Sequence, residues 1–260
     1  MIQAAPRRRT LPNAVLAAIA AAWLAALVSQ TTGTADQLHH DSLLGEGGPP
    51  WAALFLFLVA WQVMIAAMML PSSMPMIRYF AVVSARQDRP RAAFGAFLGG
   101  YAFVWTAFGA LALTGDLFLH GTVNAVPWLE ENEWAISGAI LAAAGAFQFT
   151  SLKDRCLEKC RHPALFLMKR YQRGVGEAFS LGQAHGVFCL GCCWALMLLV
   201  FAAGFASLAW MAGLAAVMYY EKAGRHGARV VRPVGIVLLA WAGLVLAHPG
   251  WLPAALSGVS

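Results

Sequence analysis

An all-α, polytopic bundle of transmembrane helices is the fold class this sequence predicts, and three observations predict it. Of its 260 residues 60% are hydrophobic and only 12% charged, an apolar share above that of a soluble domain, and the mean hydropathy is +0.64. Several apolar runs reach about 18 to 20 residues, the length a helix needs to cross a hydrocarbon core. The Lys and Arg residues gather in short segments between those runs, as the positive-inside rule places them. The same clustering accounts for the net charge of +6 without any nucleic-acid partner. Neither an internal repeat, a soluble domain nor a nucleotide-binding G-x-x-x-x-G-K-[ST] motif is visible.

Residues 1–29 carry Arg7, Arg8 and Arg9 ahead of the small-residue apolar run Asn13 to Val28. This reads as an N-terminal transmembrane helix or as a signal-like segment with a processing site near Thr34-Ala35. Residues 30–50 are polar, lack Lys and Arg, and read as an external loop. Its Asp36, His39, His40 and Asp41 are either a collector of divalent metal or simply exposed polar residues. Residues 51–247 form the expected metal-binding transmembrane bundle, and residues 248–260 an external tail.

The second span is expected from Trp51 to about Leu70, where M-M-L-P-S-S-M-P-M-I follows. Pro71 and Pro75 predict a kink or an end to the helix, freeing backbone carbonyls there. Met64, Met68, Met69, Met74 and Met76 crowd this break. Methionine is a flexible gap-filler in packed helices, yet this density beside a proline break also suits thioether ligands for Cu(I). Arg78, Arg86, Arg89 and Arg91 put the next loop in the cytoplasm. A third span is expected over about Ala92 to Leu113, with Gly95, Gly99, Gly100 and Gly109 as surfaces for close packing. Asp116, His120, Glu130, Glu131 and Glu133, with no basic residue among them, place the segment beyond it outside.

A fourth span, about Trp134 to Phe149, leads into T-S-L-K-D-R-C-L-E-K-C-R-H-P. Lys153, Arg155, Lys159, Arg161, Lys169, Arg170 and Arg173 make this the strongest basic cluster, hence cytoplasmic. Cys156 and Cys160 are one helical turn apart and face the same way. Two thiols so spaced can clamp one metal ion, and neighbouring cations favour thiolate. The plainer alternative is a pair of reduced cysteines in a basic amphipathic loop.

The fifth span, about Glu177 to Ala203, holds G-Q-A-H-G-V-F-C-L-G-C-C-W-A-L-M. At about 100° per helical residue, Cys189, Cys192, Cys193, His185 and Met197 fall within an arc of roughly 140°. One face therefore carries three thiols, an imidazole and a thioether, a set that suits Cu(I) first and zinc second. Entering from the cytoplasm, the thiols lie near mid-membrane, about 18 to 20 Å along the helix. Thiols are also among the most buried side chains, so packing alone is the competing account. A turn near Gly204 to Ser207 leads to a short sixth span, about Leu208 to Tyr220, ending in Tyr219, Tyr220, Glu221 and Lys222. Glu221 is either a solvated helix end or the partner of a His or Lys near the inner mouth. Lys222, Arg225, Arg229 and Arg232 mark another inside loop, and a last span runs from about Pro233 to Leu246. The count is seven spans, six if the first is cleaved, with the N-terminus cytoplasmic.

Met68 to Met76, Leu152 to Arg161, His185 to Met197 and the Glu221-Lys222 pair resemble a bacterial family of predicted metal-binding integral membrane proteins, some of them labelled copper chaperones. The similarity covers roughly Trp61 to Lys222, and Cys-Cys-Trp is its most specific part. It implies metal handling through Cys156, Cys160, Cys189, Cys192, Cys193 and the methionine cluster.

The expected function is that of a non-enzymatic Cu(I) chaperone or transporter of the bacterial inner membrane. Its partners would be the lipid bilayer and a copper-requiring enzyme or a periplasmic metal-binding protein. A membrane thiol oxidoreductase exchanging electrons with quinone through Cys189, Cys192 and Cys193 is the runner-up. A structural subunit of a membrane complex is the third reading.

Overall fold

The computed structural model describes residues 7–32, 50–202 and 208–248, and among them it is helical with no strand. The helices are α1 (Arg7–Thr31), α2 (Pro50–Ser84), α3 (Pro90–Ala125), α4 (Pro127–Glu131), α5 (Glu133–Phe147), α6 (Ser151–Arg161), α7 (Pro163–Arg170), α8 (Val175–Ala202), α9 (Leu208–Ala223) and α10 (Gly227–Ala247). Asp36, His39, His40 and Asp41, the turn at Gly204 to Ser207, and the tail from residue 249 onward lie outside the described residues.

Among the described residues, five helices are long and apolar enough to cross a membrane: α1, α2, α3, α8 and α10. A sixth is counted if α5 and α6, bent by 64° at the break between them, make one broken span. Of the seven expected spans, the sixth falls on α9, whose 16 residues give about 24 Å of helix, short of a hydrocarbon core of about 30 Å.

Two helices differ from the sequence expectation. The expected break in α2 does not end the helix, which runs through both Pro71 and Pro75. Pro71 lacks the N–H that would bond to the Ala67 carbonyl, and the Trp23 indole of α1 donates to that oxygen instead, at 3.0 Å. A neighbouring helix thus satisfies the group the proline orphans. Likewise α3 continues past Leu113, so Asp116 and His120 belong to its last turns rather than to a separate polar segment. It stops at Val126, extended at φ −122° and ψ 97°, because the residue before Pro127 is disfavoured in helical conformation.

Helices α3 and α8 pack backbone against backbone. A Cβ on Gly100 would strike the Phe179 carbonyl oxygen, and one on Gly182 would strike that of Phe97. Small residues on both helices therefore make the approach, as small-residue surfaces do in membrane proteins. Gly109 admits the Trp61 ring, whereas Gly95 has open space around it. Helices α5 and α10 repeat the device at Gly145, where a Cβ would lie 3.1 Å from the Gly235 carbonyl oxygen.

Two apolar cores result. The first unites Trp61, Met64, Met68, Met69, Trp105, Cys189, Cys192, Cys193, Met197, Met211 and Met218. The second unites Met74, Met76, Phe80, Phe94, Phe97 and Phe166, with Phe80 stacked on Phe97 at 4.5 Å between centroids.

Candidate metal centre

The site is built where α6 lies against α8. Cys156 and Cys160 share one face of α6, one turn apart. Gly191 on α8 lacks the Cβ that would meet Cys156 Sγ at 2.6 Å, so the two helices close up there. The approach sets Cys160 Sγ 4.0 Å from Cys192 Sγ. The cysteines of the basic segment and those of the apolar helix, expected at separate depths, thus meet. All five cysteines are free thiols.

At the centre stands a cation. Lys222 of α9 is buried, 5% exposed. Its Nζ donates to Cys189 Sγ at 3.1 Å and Ser72 Oγ at 3.3 Å, and lies 3.6 Å from both Cys193 Sγ and Met69 Sδ. Two thiol sulfurs and a thioether therefore already surround one positive charge. Cys189 receives further support from a relay: Ser73 Oγ donates to the Tyr101 hydroxyl at 3.2 Å, and that hydroxyl lies 3.2 Å from Cys189 Sγ.

Cys192 and Cys193 donate back to the Cys189 carbonyl, at 3.0 and 2.9 Å, and Cys193 also lies 3.7 Å from Met69 Sδ. Such back-bonds use the S–H proton and turn the sulfur toward its own helix. Among the described residues, accordingly, no three Cys, His, Asp or Glu side chains are gathered as they would be around a metal ion. The donor chemistry fits a soft ion; collecting the sulfurs on one requires loss of the S–H protons and rotation of the Cys192 and Cys193 side chains.

His185, one turn before Cys189, is buried with Nε2 lacking a hydrogen-bond partner. Its ring packs among those of Tyr101, Phe97 and Phe166, with centroids 5.6, 6.2 and 6.2 Å away. Met68 and Met197 are fully buried in the same core as the thiols, whereas Met74 and Met76 belong to the aromatic core.

Charged groups brace the site from below. Glu221 is no solvated helix end: it is buried and accepts from Lys153 Nζ at 2.7 Å, with both side chains almost wholly shielded. Arg161 donates to the Glu221 and Gly224 carbonyls at 2.6 and 3.1 Å, capping the last turn of α9 and fixing Lys222 next to it. Sequence reasoning assigned no site role to Lys222, Tyr101, Ser72, Ser73 or Lys153. The signals were present: a lysine closing an apolar helix, and two serines inside the methionine-rich segment.

No curated protein and no solved structure matches the chain. A family model described as PpoB2, copper chaperone, matches residues 58–245. That range takes in every cysteine, Lys222 and the whole methionine-rich segment. Most of the chain is thereby accounted for, and the protein belongs to the PpoB2 copper chaperone family.

Proposed function

We propose that the protein is a membrane-embedded carrier of Cu(I), which it holds on Cys160, Cys189, Cys192 and Cys193 with the Met69 thioether. The observation that carries the reading is the cage around Lys222 Nζ, with two thiol sulfurs and a thioether within 3.1 to 3.6 Å of a single cation. Thiolates suit both Cu(I) and zinc, and the Met69 thioether, a soft donor outside the usual Cys, His and carboxylate ligands of zinc, puts Cu(I) first. With two of these four cysteines ionised and the other two kept as thiols, the Cu(I) site has a net charge of −1, and the Lys222 ammonium offsets it. That neutrality matters, because an uncompensated charge in an apolar interior is expensive. Cys156 and His185, each beside a site thiol, are reserve ligands, and Met197 and Met68 extend the soft surroundings. Basic segments facing the cytoplasm would give an inner-membrane protein that loads a copper enzyme or an extracytoplasmic acceptor.

Purified protein expressed with copper and kept reduced should carry about one copper per chain by elemental analysis, and the Cys189→Ser/Cys192→Ser/Cys193→Ser variant should carry almost none. Metal-free wild-type protein under those conditions sinks the reading. The 4.0 Å approach of Cys160 and Cys192 favours one rival, a dithiol/disulfide couple. Alkylation before and after reduction separates the two: a disulfide that follows quinone state supports the rival.

A further inference from the structure

Beside the sulfur cluster lies a cavity of about 460 Å³ between α2, the α6–α7 junction and the end of α9. Its walls include Tyr79, Cys160, Arg161, His162, Lys222 and Arg225, and no Asp or Glu lines it. Basic residues at this end of the bundle follow from topology alone; the wall they share with a thiol does not. Cys160 is the one cysteine of the five that is not fully buried. It faces both the cavity and Cys192, so the cavity joins the surroundings to the sulfur cluster through a single thiol. Arg161 is held in place by its bonds to the Glu221 and Gly224 carbonyls.

We infer that this cavity is the port of the sulfur site and that it receives copper as a small anionic Cu(I)–thiolate complex, one whose carrier is a low-molecular-weight thiol bearing carboxylates. The inference rests on the copper reading above. Its volume falls within the roughly 300 to 1,000 Å³ of small-molecule sites. Cu(I) on two thiolates is already negative, and carboxylates add to that, which matches a wall that carries Arg161 and Arg225 and no anionic side chain. A thiol on the wall distinguishes the port from a plain anion site, since phosphate or sulfate has no use for it. Transfer is a ligand exchange. Cys160 Sγ loses its proton as the S–Cu bond forms, one carrier S–Cu bond breaks, and the released thiolate takes the proton. Copper remains monovalent and no electrons move. Cys192 Sγ, 4.0 Å away, is the next acceptor.

The test uses full-length protein in detergent, anaerobic and reduced, and compares two Cu(I) donors: the complex with reduced glutathione, which is anionic, and the acetonitrile complex, which is cationic. Arg225→Glu is expected to slow uptake from the anionic donor by several-fold to tenfold at low salt, with the gap closing at high salt as screening shortens the field. Uptake from the cationic donor and final copper content should not fall. As a second readout, a sulfonate-bearing thiosulfonate should label Cys160 faster than a trimethylammonium-bearing one, and Arg225→Glu should reverse that order. Equal slowing with both donors, no slowing with either, or loading from the acetonitrile complex alone overturns the port. Failure to load from both donors overturns the sulfur site as well.

Discussion

Helix α2 carries methionines on both sides of Pro71, and the two groups have different company. Met68 and Met69, before the proline, lie in the core that holds Cys189, Cys192 and Cys193, and Met69 Sδ is within 3.7 Å of both a thiol and the Lys222 ammonium. Met74 and Met76, after it, lie among Phe80, Phe94, Phe97 and Phe166. The same thioether faces thiols and a cation in one place and aromatic rings in the other. What decides is which neighbours the other helices bring.

The largest effect expected from breaking this contrast comes from the thiols. Cys189→Ala/Cys192→Ala/Cys193→Ala should lower retained copper at least about tenfold, a loss of about 1.4 kcal/mol or more in binding, while Met74→Leu/Met76→Leu retains wild-type copper by elemental analysis. Next comes the support beneath the sulfur side. Glu221→Ala strands the Lys153 ammonium in a shielded place and should cost about 3 to 5 kcal/mol, seen as a lowered thermal midpoint in detergent. Lys153→Met/Glu221→Leu, which removes both charges, should recover most of that loss.

A finer cut compares the two methionine groups directly. Met69→Leu keeps volume and apolarity, so stability should move by less than about 1.5 kcal/mol, whereas Cu(I) affinity measured against a competing chelator should weaken about tenfold, roughly 1.4 kcal/mol. Met76→Leu should be the smallest change of all, with the same limit on stability and no shift in affinity. Equal weakening by the two substitutions would mean that the aromatic-side methionines also reach the ion.

Much of this was legible in the chain. Length, apolar runs and the placement of Lys and Arg gave an all-helical bundle, and threes-and-fours spacing put Cys189, Cys192 and Cys193 together on α8, all of them buried. The facing of Cys156 and Cys160 followed from one turn of helix. What could not be read was the partner across each gap. That α6 folds back onto α8 depends on Gly191 admitting the Cys156 sulfur, a contact between residues far apart in sequence. The Ala67 carbonyl that Pro71 leaves without its helical partner in α2 is met by Trp23, 44 residues away in sequence. Lys222 looked like one more topology-setting cation, because nothing local tells a lysine that points outward from one whose ammonium turns back among sulfurs.

X-ray absorption at the copper edge of the loaded, reduced protein tests the central claim most directly. The account predicts a Cu(I) edge and a first shell of sulfur alone, which the cysteine triple variant loses. A Cu(II) edge, or a first shell of nitrogen and oxygen in the wild-type protein, would contradict it.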